Sequence, residues 1–258
     1  MQNNEKQMEP RKLAVVVGAS KELGHTFLEK LKAQGFECVG ISLEAPQSKI
    51  AEVDYVQVDL RDYDATTKAM QKLSLEQYEK IVLVHSAGKY KFEMLGVAEN
   101  DADGDGIDDE ILHANVTTFK NVLKAVHEAA PKTGINFLII DSVFNDHPVP
   151  YWQSYAKAKE QLATHARMQV AHKAYHFHGV HLKIASLKTN RPSPAHGENT
   201  LLLDPAHVVE TTLPHVIEPT TIWHELRILK HSKGLAADVP KTQPFPSKSD
   251  SKMKKVEF

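Results

Sequence analysis

The stretch Leu13-Ala14-Val15-Val16-Val17-Gly18-Ala19-Ser20-Lys21-Glu22-Leu23-Gly24 decides the fold. A short apolar run rich in valine stops at Gly18, and apolar positions at helical spacing then run from Phe27 to Leu31 until Gly35 ends them. The stretch therefore reads strand, turn, helix. Further short apolar runs follow at Cys38–Ser42, Tyr55–Val58 and Ile81–Val84, separated by segments that suit helices, as at Ala65–Leu73. Beyond a polar loop, Asp109–Ala129 has the length and spacing of one long helix, Phe137–Ile140 is a wholly apolar strand and Ser154–Lys173 is a second long helix. His181–Ser186 and Glu225–Leu229 suit two more strands, with a helix at Pro205–Val216 between them. Alternation of this kind predicts an α/β fold: one doubly wound parallel sheet covered by helices on both faces.

The 258 residues suit one domain with a large core. We expect a flexible N-terminus over 1–11, the domain over 12–236, and a flexible Lys-, Ser- and Pro-rich tail over 237–258. A formal net charge of -2 leaves no electrostatic footprint for nucleic acid or an anionic membrane. The single cysteine, Cys38, excludes an internal disulfide, and no apolar run approaches the ~20 residues that cross a bilayer. With a polar start from Met1 to Pro10, these features lead us to expect a cytoplasmic protein. Fifteen histidines include the series His172, His176, His178 and His181, but without a further ligand on a rigid frame we assign no metal site.

Between the first strand and the first helix, backbone N–H groups from Gly18, Ser20, Lys21, Leu23 and Gly24 can cradle a pyrophosphate at the helix N-terminus, as in a Rossmann-like dinucleotide site. Gly18 permits the sharp exit from the strand and Gly24 the close packing of the helix, while Glu22 stands where a three-glycine fingerprint has its middle glycine. The second strand ends in Ser42 where a carboxylate would select NAD by its ribose hydroxyls. With Lys21 available to a 2′-phosphate, charge complementarity favours NADP(H), with NAD(H) as second choice and Glu44 nearby as a counter-argument. Asp59 and Leu60, at the end of the third strand, are placed to receive the adenine.

Tyr155-Ala156-Lys157-Ala158-Lys159 sets a phenol and an ammonium four residues apart, on one helix face, and Ser142 lies thirteen residues earlier, just past a buried strand. With the glycine turn, His85-Ser86-Ala87-Gly88 after the fourth strand and Asn115 in the next helix, the chain from about Lys12 to Leu229 resembles the short-chain dehydrogenase/reductase family. The resemblance implies hydride transfer between a nicotinamide and a carbonyl or alcohol substrate. Tyr155 would be the general acid/base, Ser142 would bond the reacting oxygen, Lys159 would hold the nicotinamide ribose, and Asn115 would place a water for proton relay. Lys159 is expected to stabilise the Tyr155 phenolate. Ala87 and Gly88 would let the adenosine side approach, and Thr189 would reach the carboxamide. A homodimer or homotetramer through the two long helices is also implied.

The sequence departs from the family's pattern at Glu22, at His85-Ser86 in place of two asparagines, and at Ser186-Leu187-Lys188-Thr189 in place of Pro-Gly and a Thr. These departures keep two other readings open: a nucleotide-binding sensor or scaffold with little turnover, and an isomerase or epimerase with recycled cofactor. Asp101-Ala102-Asp103-Gly104-Asp105-Gly106 copies the first half of a calcium loop, but Leu112 stands where the bidentate Glu belongs, and acidic capping of the next helix accounts for the same residues. Phe144, His147, Tyr151 and Trp152 could line a substrate pocket or a subunit contact.

Overall fold

The computed structural model describes residues 10–93, 98–146, 151–173, 176–188, 202–231 and 234–238. Eight strands form one sheet in the order β3-β2-β1-β4-β5-β6-β7-β8: β1 Lys12–Val17, β2 Glu37–Ser42, β3 Val53–Gln57, β4 Lys80–His85, β5 Gly134–Ser142, β6 Phe177–Ile184, β7 Trp223–His231 and β8 Gly234–Asp238. The first seven run parallel, and β8 returns antiparallel along β7. The helices are α1 Glu22–Ala33, α2 Tyr63–Gln71, α3 Asp109–Leu112, α4 Thr118–Ala129, α5 Gln153–His172 and α6 Pro205–Ile217.

Alternation along the strands divides the core into two layers. Val15, Val17, Leu83, Phe137 and Ile139 face α2, α4 and α5, whereas Ala14, Val16, Val82, Val84 and Leu138 face α1 and α6. The first layer is strung on edge-to-face aromatic contacts, Phe119 to Phe137 at 5.4 Å and Phe137 to Phe177 at 6.2 Å between ring centroids. The chain begins at β1, moves outward to β3 and returns to the other side of β1 with β4. The crevice above the C-terminal ends of β1 and β4 is therefore the switch point where open α/β sheets bind ligands.

The expected single helix over 109–129 is interrupted: a π-helical turn, His113–Thr117, separates α3 from α4. Apolar spacing does not distinguish one widened turn from the α-helix around it, but the turn falls on Asn115. The remaining strands and helices lie within a few residues of their expected bounds. β8 was not expected, and its last residues, Ala237 and Asp238, carry the paired structure beyond the boundary placed at 236. Gly234-Leu235-Ala236-Ala237-Asp238 has no β-branched residue, so its strand state comes from pairing with the edge of β7 rather than from propensity. Of the segments expected to be flexible, 1–9 and 239–258 lie outside the described residues.

Truncating Phe137, wholly buried at the centre of the aromatic chain, removes partners on both sides. We expect Phe137→Ala to cost about 3–5 kcal/mol of unfolding free energy in urea denaturation. A loss below about 1 kcal/mol would mean that the core is not packed around this ring.

Candidate active site

The turn after β1 and the loop after β4 are stitched across the switch point. The Ser86 N–H and hydroxyl both donate to the Val17 carbonyl, at 3.0 and 2.7 Å. Gly18 has φ of 80°, and a Cβ there would come within 2.7 Å of the Ala87 nitrogen. A Cβ on Gly24 would collide with the Gly18 carbonyl and lie 2.5 Å from Ser86 Oγ. Both glycines are thus required by close backbone approach. Glu22 takes φ of 52°, the left-handed conformation that a glycine at the same place would adopt without strain. It also puts a carboxylate in the first turn of α1, at the positive end of the helix dipole.

Around this turn, Ser20 is nearly buried and Leu23 is buried. Ser42 Oγ donates to the Glu44 carbonyl at 2.6 Å, and Lys21 Nζ lies 3.5 Å from Glu44 Oε2, so the lysine expected to meet a 2′-phosphate has an acidic neighbour already. Asp59 is engaged by the Arg61 guanidinium, with Nε at 2.8 Å and Nη2 at 2.6 Å. The N-cap of α2 is Asp62 rather than Asp59. Leu60 is buried, and its carbonyl accepts from Asn121 Nδ2 at 2.8 Å. Thr189 lies outside the described residues.

His85, in the place of an asparagine, is buried. Its Nε2 lies 2.9 Å from Thr118 Oγ1, whose own proton goes to the Ala114 carbonyl at 3.0 Å. The ring is therefore the Nε2–H tautomer, and its Nδ1 has no hydrogen-bond partner among the described residues. Burial, with the Lys159 charge adding, pushes this imidazole down to about 3, so it stays neutral at physiological pH.

The structure brings Asn115, Tyr155 and Lys159 together over the ends of β4 and β5, with Ser142 the last residue of β5. Asn115 Nδ2 donates to the Lys89 and Ile111 carbonyls at 2.7 and 2.8 Å, so the π-helical turn is tied to the loop after β4. Its Oδ1 is buried without a hydrogen-bond partner among the described residues. A Cβ on Gly88 would sit 2.7 Å from this oxygen and 3.4 Å from Lys159 Nζ, so the amide oxygen and the ammonium share the space over Gly88. An orphaned buried acceptor beside an ammonium is a place for an ordered water.

Lys159 is only 5% exposed and donates to the Ile140 carbonyl at 2.8 Å, while its Nζ lies 5.5 Å from the centroid of the Tyr155 ring. Burial brings this ammonium down to about 8, against the raising influence of Asp141. The phenol of Tyr155 is not activated as expected: burial, then the charge of Asp141, then Tyr90 hold it above its ordinary value. With Lys159 turned to Ile140, Tyr155 keeps its phenolic proton at neutral pH.

Two contributors escaped the sequence reading. Asp141, 4% exposed, precedes Ser142 and accepts from its N–H at 2.6 Å. His181, read as one of a histidine series, places Nε2 2.8 Å from Asp141 Oδ2. A charged residue ending the apolar run of β5 was the available signal. In the loops that follow β4 and precede α5, Tyr90 meets both Trp152 and Tyr155 edge-on, at 6.2 and 6.3 Å, and Phe92 stacks on Tyr151 at 5.0 Å. His147 lies outside the described residues. In the acidic loop, Asp101, Asp103 and Asp105 gather carboxylate oxygens within 4.8 Å of one another, and Asp108 caps α3.

The sequence matches the family model described as short chain dehydrogenase over residues 12–188. No curated protein matches it. Among solved structures it is similar to the ligand-free aldohexose dehydrogenase of Thermoplasma acidophilum, with a TM-score of 0.70 and 16% identity over 85% of this chain and 93% of the other. A short chain dehydrogenase from Burkholderia cenocepacia in complex with NADP gives 0.69 and 16%, over 84% and 88%. An alcohol dehydrogenase from the archaeon Thermococcus sibiricus, complexed with 5-hydroxy-NADP, gives 0.65 and 18%, over 84% and 95%. At these identities the likeness is one of fold.

Replacing Glu22 by Gly removes both the left-handed strain and the carboxylate at the α1 N-terminus. We expect Glu22→Gly to tighten NADPH binding about tenfold in a fluorescence titration. Weaker binding would mean that the Glu22 side chain helps to hold the nucleotide.

Proposed function

Because the chain belongs to the short-chain dehydrogenase/reductase family, and is therefore an oxidoreductase that binds a nicotinamide cofactor, we propose that it reduces a carbonyl substrate with NADPH, using Tyr155 as the proton donor. The observation that carries this reading is the cluster of Tyr155, Lys159 and the unpartnered Asn115 oxygen at the switch point of the sheet. The nucleotide would lie along the Gly18–Gly24 turn, with its pyrophosphate at the α1 N-terminus and its adenosine near Ser42, Asp59, Leu60, Ala87 and Gly88. Ser42 offers no carboxylate to repel a 2′-phosphate, and Lys21 offers a charge to meet one, which supports NADPH over NADH.

A bound nicotinamide supplies the hydride. The protein's part is to hold the substrate oxygen between the Ser142 hydroxyl and the Tyr155 phenol and to deliver the phenolic proton as charge develops there. Lys159 would hold the nicotinamide ribose, and a water on Asn115 Oδ1 would return a proton by way of Lys159. A phenol held above its ordinary value stays protonated at neutral pH, so it enters the cycle carrying the proton that reduction of a carbonyl consumes.

Tyr90, 48% exposed, lies beside Tyr155, and Phe92 and Tyr151, 55% and 47% exposed, stack on each other in the loops that follow β4 and precede α5. Uncovered rings in such numbers suit a carbonyl compound bearing an apolar ring or chain. Association into a homodimer or homotetramer through α4 and α5 belongs to the same proposal.

Tyr155→Phe is expected to bind NADPH within a few-fold of wild type and to lose about 10²–10⁴-fold in carbonyl turnover, followed as loss of nicotinamide absorbance. Retained turnover would remove Tyr155 from the mechanism, and binding of NADPH without turnover of any carbonyl by wild type would favour the sensor or scaffold. In wild type, turnover should fall as pH rises through about 8, where Lys159 gives up its proton. Phe92→Ala should raise KM for aryl ketones about tenfold with little change in kcat.

A further inference from the structure

The charge pair behind the active site has no part in the mechanism above, and its placement gives it one. Asp141 sits at the end of β5 between the Ile140 carbonyl, which receives Lys159, and Ser142. Its Oδ1 accepts from the Ser142 N–H at 2.6 Å and from Asn145 Nδ2, so one carboxylate oxygen fixes both the serine and the turn after it. Its Oδ2 accepts from His181 Nε2 at 2.8 Å, across the pairing of β5 with β6.

A carboxylate 4% exposed survives in low dielectric only if opposite charges and donors meet it. Two groups able to supply them are present. His181, itself 3% exposed, meets it from β6, and Lys159 from α5, one peptide away at Ile140. Burial raises the Asp141 carboxyl, but the His181 hydrogen bond and charge, the Lys159 charge and the Ser142 N–H outweigh it and hold it below the ordinary carboxylate range.

We propose that Asp141 is a positioning residue of the active site: its carboxylate, clamped by His181, Asn145 and the Ser142 N–H, is the counter-charge that keeps Lys159 an ammonium and Tyr155 a protonated phenol. This rests on the reading of Tyr155 and Lys159 as the proton-handling pair. The sign follows from Coulomb's law, since a negative charge nearby favours the ammonium and disfavours the phenolate, and both effects hold protons in the site.

The surroundings of the pair bear on its pH dependence. Facing Asp141 are His181 from β6, Lys159 and Tyr155 from α5, and Asn145 from the turn after β5. Facing His181 are Asp141 from β5, and Glu225 and the Trp223 ring from β7, with Glu225 Oε1 3.8 Å from Nδ1 and also paired with Arg167 of α5. A groove of ≈ 790 Å³ between α5 and the β5–β6 strands reaches both Asp141 and His181, with Lys157, Glu160, Arg167 and Lys183 on its walls. Burial lowers the His181 imidazole, but its hydrogen bond to Asp141 and the nearby charges of Asp141 and Glu225 outweigh this and raise it.

The test compares wild type, Asp141→Asn and His181→Gln by two readouts. One is the titration of Lys159 by ¹⁵N NMR of lysine amines, assigned with Lys159→Arg; the other is the pH profile of kcat/KM for NADPH-dependent reduction of an aryl ketone. Asp141→Asn should lower the Lys159 pKa and move the alkaline limb of the profile to lower pH, each by about one unit. His181→Gln keeps an N–H donor for Asp141 Oδ2, so the carboxylate stays charged and neither should move downward. A merely structural Asp141 would give a uniform loss of rate with both pKa values in place, and that result overturns the proposal. If Asp141→Asn does not fold, Asp141→Ser takes its place, with the same downward shifts expected and the same overturning result. Absence of ketone turnover in wild type would contradict the functional reading, while the Lys159 titration would still decide the role of Asp141.

Discussion

An ammonium cannot stay charged in a protein interior unless the structure around it is arranged to keep it so. Lys159 is nearly buried, and much of the active-site end of the sheet is organised about that fact. The carbonyl of Ile140 receives it, Asp141 faces it from the next residue, and the Asn115 oxygen lies across Gly88 from it. These groups come from three elements: Ile140 and Asp141 from β5, Asn115 from the π-helical turn and Gly88 from the loop after β4. Burial still wins in part, and Lys159 rests near 8 instead of its ordinary value. A lysine poised there can exchange a proton near neutral pH, which a surface lysine does not do readily.

The cofactor side is built on backbone approach. Gly18, Gly24 and Ser86 close the space between the first turn and the loop after β4 to contact distance, so the α1 N-terminus is aimed at the crevice where the strand order reverses. Glu22 works against this arrangement in conformation and in charge. The carboxylate of Glu44 similarly tempers the charge of Lys21. His85 in place of asparagine leaves the scaffold intact, because one ring nitrogen finds Thr118 and burial keeps the imidazole neutral.

The doubly wound sheet was legible from the valine-rich run ending at Gly18 and from its repetition along the chain, because period and punctuation are local properties. Tyr155 and Lys159 were legible because four residues on a helix share a face. The π-helical turn at Asn115 was not, since it leaves apolar spacing almost unchanged. β8 was not, since its pairing is a property of the β7 edge. The partnership of Asp141 with His181 joins residues forty apart in sequence that become neighbours only when β5 and β6 pair. Spacing among the histidines pointed instead to one another. The rotation of Lys159 toward Ile140, and with it the undiminished proton affinity of Tyr155, depends on burial and on Asp141, neither of which spacing reveals.

The most direct test of the whole account is a crystal structure of the protein grown with NADP⁺. The pyrophosphate is expected over the Gly18–Gly24 turn at the α1 N-terminus, the 2′-phosphate near Lys21 and Ser42, and the nicotinamide ribose within hydrogen-bonding distance of Lys159 with the ring beside Tyr155. A nucleotide bound elsewhere, or bound with its nicotinamide remote from Tyr155, would contradict it.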